Sequence, residues 1–228
     1  MRTIYKLYVL IVLVICTFVP ASVSAADNGL AGSMFTDPSY VFRFETNDHG
    51  NVVENYTLQF TKQEGDRLVF TYRNLKTGVD GEAVFTRNLD LCVLGSMQYK
   101  PCASYLVYPM VVGAKIGGNF TSTIAELERD GKVVGQEAIE LPAPIGKVPA
   151  WRIEAYLYNK TSTAPGSSSP GIRLSEVIHY CAPPIGVVCS VVLRSMFRGN
   201  TVVAHRQLVE ITRVTRPQAS IGASPQGN

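Results

Sequence analysis

Tyr180-Cys181-Ala182-Pro183-Pro184-Ile185-Gly186-Val187-Val188-Cys189 is the stretch on which the fold turns. Adjacent prolines followed by a glycine end any regular element, and the flanks, Ile172 to Cys181 and Val187 to Arg198, are rich in β-branched residues. That pattern reads as two strands joined by a tight reversal, with a cysteine at each shoulder. If Cys181 stands opposite Cys189, antiparallel counting puts Ile178 across from Val192 and Glu176 across from Arg194. One register then yields an apolar pair and an opposite-charge pair.

The same grammar extends in both directions. Upstream, Pro144-Ile145-Gly146-Lys147-Val148-Pro149-Ala150 leads into Trp151 to Lys160, where Trp151, Ile153, Ala155 and Leu157 share one face. Period two with one apolar face marks a half-buried strand. Thr161 to Gly171 is Ser, Thr, Pro and Gly almost throughout and reads as a surface loop. Downstream, Gly199-Asn200 turns the chain into Thr201 to Val214, whose apolar face switches between Ala204 and Val209, so a bulge is expected near Gln207.

Nearer the N-terminus, Tyr40 to Glu45, Val52 to Lys62, Leu68 to Asn74 and Gly81 to Thr86 are strand-like runs joined by short links such as Asn47-Asp48-His49-Gly50. Short links join antiparallel neighbours. Asp130-Gly131, between Asn119–Arg129 and Lys132–Leu141, predicts a two-residue hairpin turn, with a short helix over Ile124 to Arg129 as the competing reading. Asp90 to Gly118 is less regular and reads as a long crossing loop or a strap over an edge, with room for a short helix. The expected fold is all-β: a single antiparallel meander of about ten strands curled into a half-open or closed barrel.

The first residues speak to compartment. Arg2 and Lys6 precede an apolar run from Leu7 to Val19, then Pro20 and Val23-Ser24-Ala25. The run has the length of a signal-peptide core and falls short of the roughly 20 residues that span a bilayer. Residues 1–25 are therefore expected to be a signal peptide cleaved after Ala25, the alternative being an uncleaved anchor. Ile15 before Cys16 is too bulky for a lipid-attachment site. Residues 26–34 read as a flexible lead-in, 35–215 as one β-barrel-like domain, and 216–228 as a disordered Gly, Ser, Gln and Pro tail. Loss of the leader drops Lys plus Arg from 21 to 19 against 18 acidic residues, leaving no basic field for nucleic acid. The mature chain has no second long apolar run and so no expected membrane span. A periplasmic or secreted location follows.

Cys92, Cys102, Cys181 and Cys189 remain after cleavage. An even number in an exported chain reads as a disulfide framework with three connectivities, of which the local pairs Cys92–Cys102 and Cys181–Cys189 each close a reversal. The rival, a four-thiolate zinc site, lacks the Cys-x-x-Cys spacing.

Chemistry is sparse. His49 lies in turn sequence, while His179 and His205 fall on strands with Glu176 nearby; no His-x-x-x-His spacing supports a metal. There is no Gly-x-Ser-x-Gly elbow, and Gly113-Ala114-Lys115-Ile116-Gly117-Gly118 lacks P-loop spacing. Asn55, Asn119 and Asn159 begin glycosylation sequons, relevant only in a eukaryotic secretory pathway. No catalytic residue, metal or cofactor is assigned. An apolar, tyrosine-rich concave face is expected from Tyr56, Phe60, Phe70, Phe85, Trp151, Leu157, Ile178, Val192 and Leu193. These residues either pack an ordinary core or line a pocket for a hydrophobic ligand.

Tyr108-Pro109-Met110-Val111-Val112-Gly113, then Pro144-x-Gly146-Lys147-Val148-x-Ala150, then Tyr180 with Gly186-Val187-Val188, resemble an exported bacterial group, the domain of unknown function 3108 family. The resemblance covers most of residues 35 to 215. It implies a fold like the half-open antiparallel barrels of the lipoprotein-localisation carriers LolA and LolB, and by that analogy a lipid or other hydrophobic ligand. The leading expectation is a non-enzymatic envelope protein with such a ligand. The alternative is an adaptor whose strand edge or loops dock another envelope protein with no small ligand. A hydrolase using His179 or His205 comes third.

Overall fold

A computed structural model of the chain describes residues 30–162, 172–195 and 201–214. Twelve strands follow one another: β1 Tyr40–Asp48, β2 Asn51–Glu64, β3 Arg67–Asn74, β4 Asp80–Thr86, β5 Leu91–Leu94, β6 Met97–Ala103, β7 Lys115–Ser122, β8 Ala125–Leu141, β9 Gly146–Ser162, β10 Ile172–Cys181, β11 Val187–Ser195 and β12 Thr201–Arg213. Each is antiparallel to its chain neighbours, and β1 pairs with β12, so the sheet closes into a barrel. Closure removes most of the sheet edge that an open meander would expose, leaving strand overhangs such as the end of β8. The two strands beyond the expected ten, β5 and β6, are short and flank the Cys92–Cys102 disulfide in the stretch read as irregular. The seam between β6 and β7 is thin, held by the pairs Tyr99↔Ser122 and Lys100↔Thr121.

Several expectations were displaced for identifiable reasons. Asp130-Gly131 does not turn; it lies within β8, and Gly131 faces Ala155 across the β8–β9 ladder. A Cβ at Gly131 would stand 2.5 Å from the Ala155 Cβ and 2.6 Å from the Glu154 carbonyl oxygen. The glycine serves close backbone approach, the other meaning of glycine in a strand. The turn falls instead at Ser122, whose hydroxyl accepts from the Ile124 and Ala125 amides and donates to the Ala125 carbonyl. Ile124 to Arg129 is accordingly turn and strand, and no helix occurs among the described residues.

The β10–β11 reversal carries the Cys181–Cys189 disulfide, but its register slips by one. A bulge between His179 and Tyr180 sets Ile178 against Val191 and Glu176 against Leu193. Because side chains alternate faces, a one-residue slip turns Val192 away from the interior and brings Val191 and Leu193 into or against the core. Val192 is thus removed from the expected concave face. On β12 the register shifts fall opposite Arg43/Phe44 and Leu193/Arg194, flanking the Gln207 position expected for one bulge.

Twelve strands enclose more volume than their own side chains fill. Two non-strand segments enter the lumen. Leu30 to Phe35 spans one end: the Leu30 amide donates to the Arg87 carbonyl in the β4–β5 connection, while Gly32 and Met34 amides donate to Gly186 and Pro184 in the β10–β11 connection, six strands round the ring. The Tyr180 hydroxyl also donates to the Leu30 carbonyl. Gly32 passes Ile185 and Pro184 so closely that a Cβ would sit 2.4 Å from the Pro184 oxygen. Residues 30–34, expected as the end of a flexible lead-in, are therefore a fixed plug. The second insert is Ser104 to Leu106, part of the stretch read as a crossing loop; Leu106 joins the core. The expected leader, the 216–228 tail, the Gly199-Asn200 turn and most of the Thr161–Gly171 loop lie outside the described residues.

Phe35 at the plugged end is fully buried among Phe70 (ring centroids 4.4 Å), Phe42 (5.1 Å) and Phe85 (5.8 Å), and Phe60 packs edge-on against Phe70 at 5.5 Å. Edge-to-face pairs of this kind add roughly 0.5–1.5 kcal/mol each beyond area burial. That end is a dry aromatic core.

Candidate functional site

Strand parity carries polar residues into the opposite half of the lumen. On β8, Arg129 faces inward with Val133; on β10, Glu176 faces inward with Ile178. Arg129 Nε donates to Glu176 Oε2 at 2.6 Å and Nη2 to Oε1 at 3.2 Å, and both side chains are only 2% exposed. Arg129 Nη1 donates to the Ser104 carbonyl at 2.6 Å, which ties the second insert to the wall. The guanidinium also lies 4.0 Å from the Tyr105 ring centre and 5.2 Å from that of Phe120. Burial alone would lower the Arg129 pKa, but the Glu176 charge, Tyr105 and the Glu176 hydrogen bonds outweigh it and hold the group protonated.

Arg206 is the contrasting case. It faces inward on β12 between Ala204 and Leu208, opposite Thr46 of β1 and Val191 of β11. Its contacts are with rings: 5.7 Å to Tyr105 and 6.0 Å to Phe44. No described residue forms an ion pair or hydrogen bond with it. Glu54 is close enough to bear on it electrostatically, yet that carboxylate accepts from the Thr46 and Tyr72 hydroxyls instead. Burial presses the Arg206 pKa down, and Tyr56, Tyr105, Tyr99 and Glu54 together raise it above its ordinary value. Tyr56 is pushed up to about 12, chiefly by burial and against the pull of Arg206.

Around these groups is a half-open cavity of about 200 Å³. Phe120, Leu127, Leu157, Val191 and Leu193 give it an apolar wall; Tyr99, Tyr105, Arg129, Glu176 and Arg206 give it a polar one. Beneath it, Tyr56, Phe85, Leu89 and Val188 close the lumen to a void of about 20 Å³. Of the residues expected on the concave face, Leu157 and Leu193 line the cavity, and Tyr56 and Phe85 its floor. Phe70 and Ile178 are wholly buried core, Trp151 packs partly buried against that core, and Phe60 also borders an outer groove beside Pro38. Arg129, Arg206, Tyr99 and Tyr105 escaped the sequence reading. The signal was present for the arginines, which occupy inward-parity positions beside Val133 and Leu208.

The outer wall holds other candidates. A larger depression of about 690 Å³ lies over β8 to β11, but Lys132, Arg152, Glu154, Arg194 and Asp130 make it a mixed-charge, solvated face. His179 Nε2 meets Glu137 Oε1 at 2.6 Å, and His205 Nε2 meets Ser190 Oγ at 3.1 Å. Hydrogen bonding from His179 holds the Glu137 carboxyl below its usual range, and burial, with His179 nearby, lowers the His205 imidazole. Ser190 is buried within a strand rather than raised on a turn, a poor position for a nucleophile. Among the described residues no group of three or more His, Cys, Asp and Glu is placed to hold a metal ion.

No family model and no curated protein matches the sequence. Among solved structures, a candidate lipoprotein from Parabacteroides distasonis ATCC 8503 is 12% identical with a TM-score of 0.48, 80% of this chain covering 99% of that one. The hypothetical lipoprotein YmcC from Escherichia coli K12 is 13% identical with a TM-score of 0.42, over 78% of this chain and 86% of that one. MucB, solved in complex with MucA, is 12% identical with a TM-score of 0.38, over 82% of this chain and 54% of that one. Likeness at this level carries no activity across.

Proposed function

We propose that this chain is an exported, non-enzymatic barrel protein that holds a small hydrophobic molecule in the Arg206 half of its lumen. The observation that carries the reading is the cavity of about 200 Å³ in a barrel whose other end is filled by the buried rings of Phe35, Phe42 and Phe70. A concave space with an apolar wall and a few convergent polar groups is the usual form of a small-ligand site. Two disulfides support an oxidising, extracytoplasmic compartment. The test is native mass spectrometry, followed by organic extraction, on protein purified from its own host. A small-molecule adduct is expected, and it should be lost from Leu193→Trp, which fills the cavity. Recovery of unliganded protein that also fails to take up toluene, a neutral single-ring probe small enough for the cavity, overturns the reading.

A second reading, protein docking, is favoured by one observation. From Val134 to Leu141, β8 is paired with β9 on one side only, and Val134 with the neighbouring loop residues Tyr108, Val111 and Val112 is exposed. An open edge of that length accepts an added strand. Ligand-free protein that cross-links through Val134 to another envelope protein would favour this reading over the first.

A further inference from the structure

We propose that the occupant of the lumen cavity is a small organic anion, a carboxylate on a compact apolar body, with Arg206 taking its charge. The inference rests on the ligand-binding reading above and specifies its chemistry.

Two arginines face this space, and only one has a counter-charge. Arg129 is neutralised by the bidentate Glu176. Arg206 has aromatic faces beside it, with no acceptor among the described residues, and it lines both the cavity and its floor. Arg206 is half-buried, and a partly desolvated guanidinium without an anion is costly to the extent that water is lost and no partner replaces it. Glu54 acts on it electrostatically but forms no ion pair with it and is engaged by Thr46 and Tyr72. The cavity therefore presents one positive charge that no described residue pairs directly, Glu54 acting on it only from a distance. No described residue hydrogen-bonds the hydroxyls of Tyr56 or Tyr99; Tyr99 lines the cavity beside Arg206, and Tyr56 lines its floor. A guanidinium fork with phenolic donors beside it is a fitting receptor for a carboxylate.

Size limits the rest of the ligand. An apolar cavity of about 150 Å³ holds benzene, while drug-sized ligands take roughly 300–1,000 Å³. About 200 Å³ falls between, room for a single ring or a short aliphatic chain bearing one acid group.

The experiment compares 3-phenylpropionate with its neutral isostere 3-phenylpropanamide by titration calorimetry. Native protein should bind the acid at least about tenfold tighter than the amide, since a charge-assisted bond is at stake. Arg206→Met should weaken acid binding roughly tenfold to a hundredfold and leave the amide unchanged, abolishing the preference. Arg206→Lys, which keeps the charge, should retain part of it and serves if the methionine variant does not fold. Equal affinity for acid and amide in the native protein, or a preference surviving Arg206→Met, overturns the anion assignment while leaving a hydrophobic pocket intact. Absence of binding by both probes, with no toluene uptake, instead removes the ligand-binding reading and this inference with it.

Discussion

At the plugged end of the barrel, Phe35, Phe42, Phe60, Phe70 and Phe85 interlock around a segment laid across the opening, and the Cys181–Cys189 bridge secures the reversal it rests on. At the other end, the wall is closed by a two-pair seam between β6 and β7, and the interior holds arginines, tyrosines and a cavity. One sheet thus builds a dry half that resists change and a polar half with space to exchange. The difference teaches where to look for function: volume is filled at one end, while at the other charged and phenolic groups face a cavity.

The dry half should be the more fragile to truncation. Phe70 is fully buried and touches the rings of Phe35, Phe60 and Phe85. Phe70→Ala is expected to cost about 4 kcal/mol, from lost transfer energy and an unrelaxed cavity. Leu157→Ala, beside space that already exists, should cost well under half of that. Urea unfolding of both variants measures the contrast, and equal costs would break the division between the halves.

The polar half has one comparably severe point. Glu176→Gln leaves Arg129 buried without its counter-charge, and removal of one partner of such a pair costs roughly 3 kcal/mol or more. Replacing both, Arg129→Met with Glu176→Leu, should recover most of the loss, because hydrophobic replacements of a buried pair are often neutral. If the double variant is no better than the single, the Arg129 bond to the Ser104 carbonyl, rather than the charge, is what holds the second insert.

Much of this architecture was legible from alternation and from turn chemistry. The parity of Trp151, Ile153, Ala155 and Leu157 put the right face inward, His49-Gly50 turned as its residue types require, and the two local disulfides followed from the reversals they close. The failures have a common physical source. Gly131 was ambiguous because glycine answers both a turn and a close backbone approach, and only the facing Ala155 distinguishes them. Bulges reset parity locally, and a bulge at Cys189 has no composition of its own, so Val192 took the place of Val191. The lumen inserts were invisible because periodicity describes strands and says nothing of loops that enter them. Glu176 was nearer to hand, sharing its face with Ile178, a core residue; an ionisable group at such a position implies a buried partner, which proved to be Arg129.

The smallest expected effect lies outside both halves, on the outer wall, and sharpens the comparison by showing that ionisation there is marginal. His205 is half-buried against Ser190, with its pKa lowered by desolvation and then by His179. Folded protein therefore binds fewer protons than unfolded chain as pH falls below the unfolded value of about 6.5. The stabilising contribution is complete above that pH and declines below it, so the urea midpoint should drift down between pH 7 and pH 5. Glu137, held low by His179, acts in a separate window: its contribution is present above the ordinary carboxylate range and is lost only as pH falls through its depressed folded value. His205→Asn should flatten the neutral-to-pH 5 slope without touching the acid limb. A slope that persists unchanged in His205→Asn would move the proton uptake elsewhere.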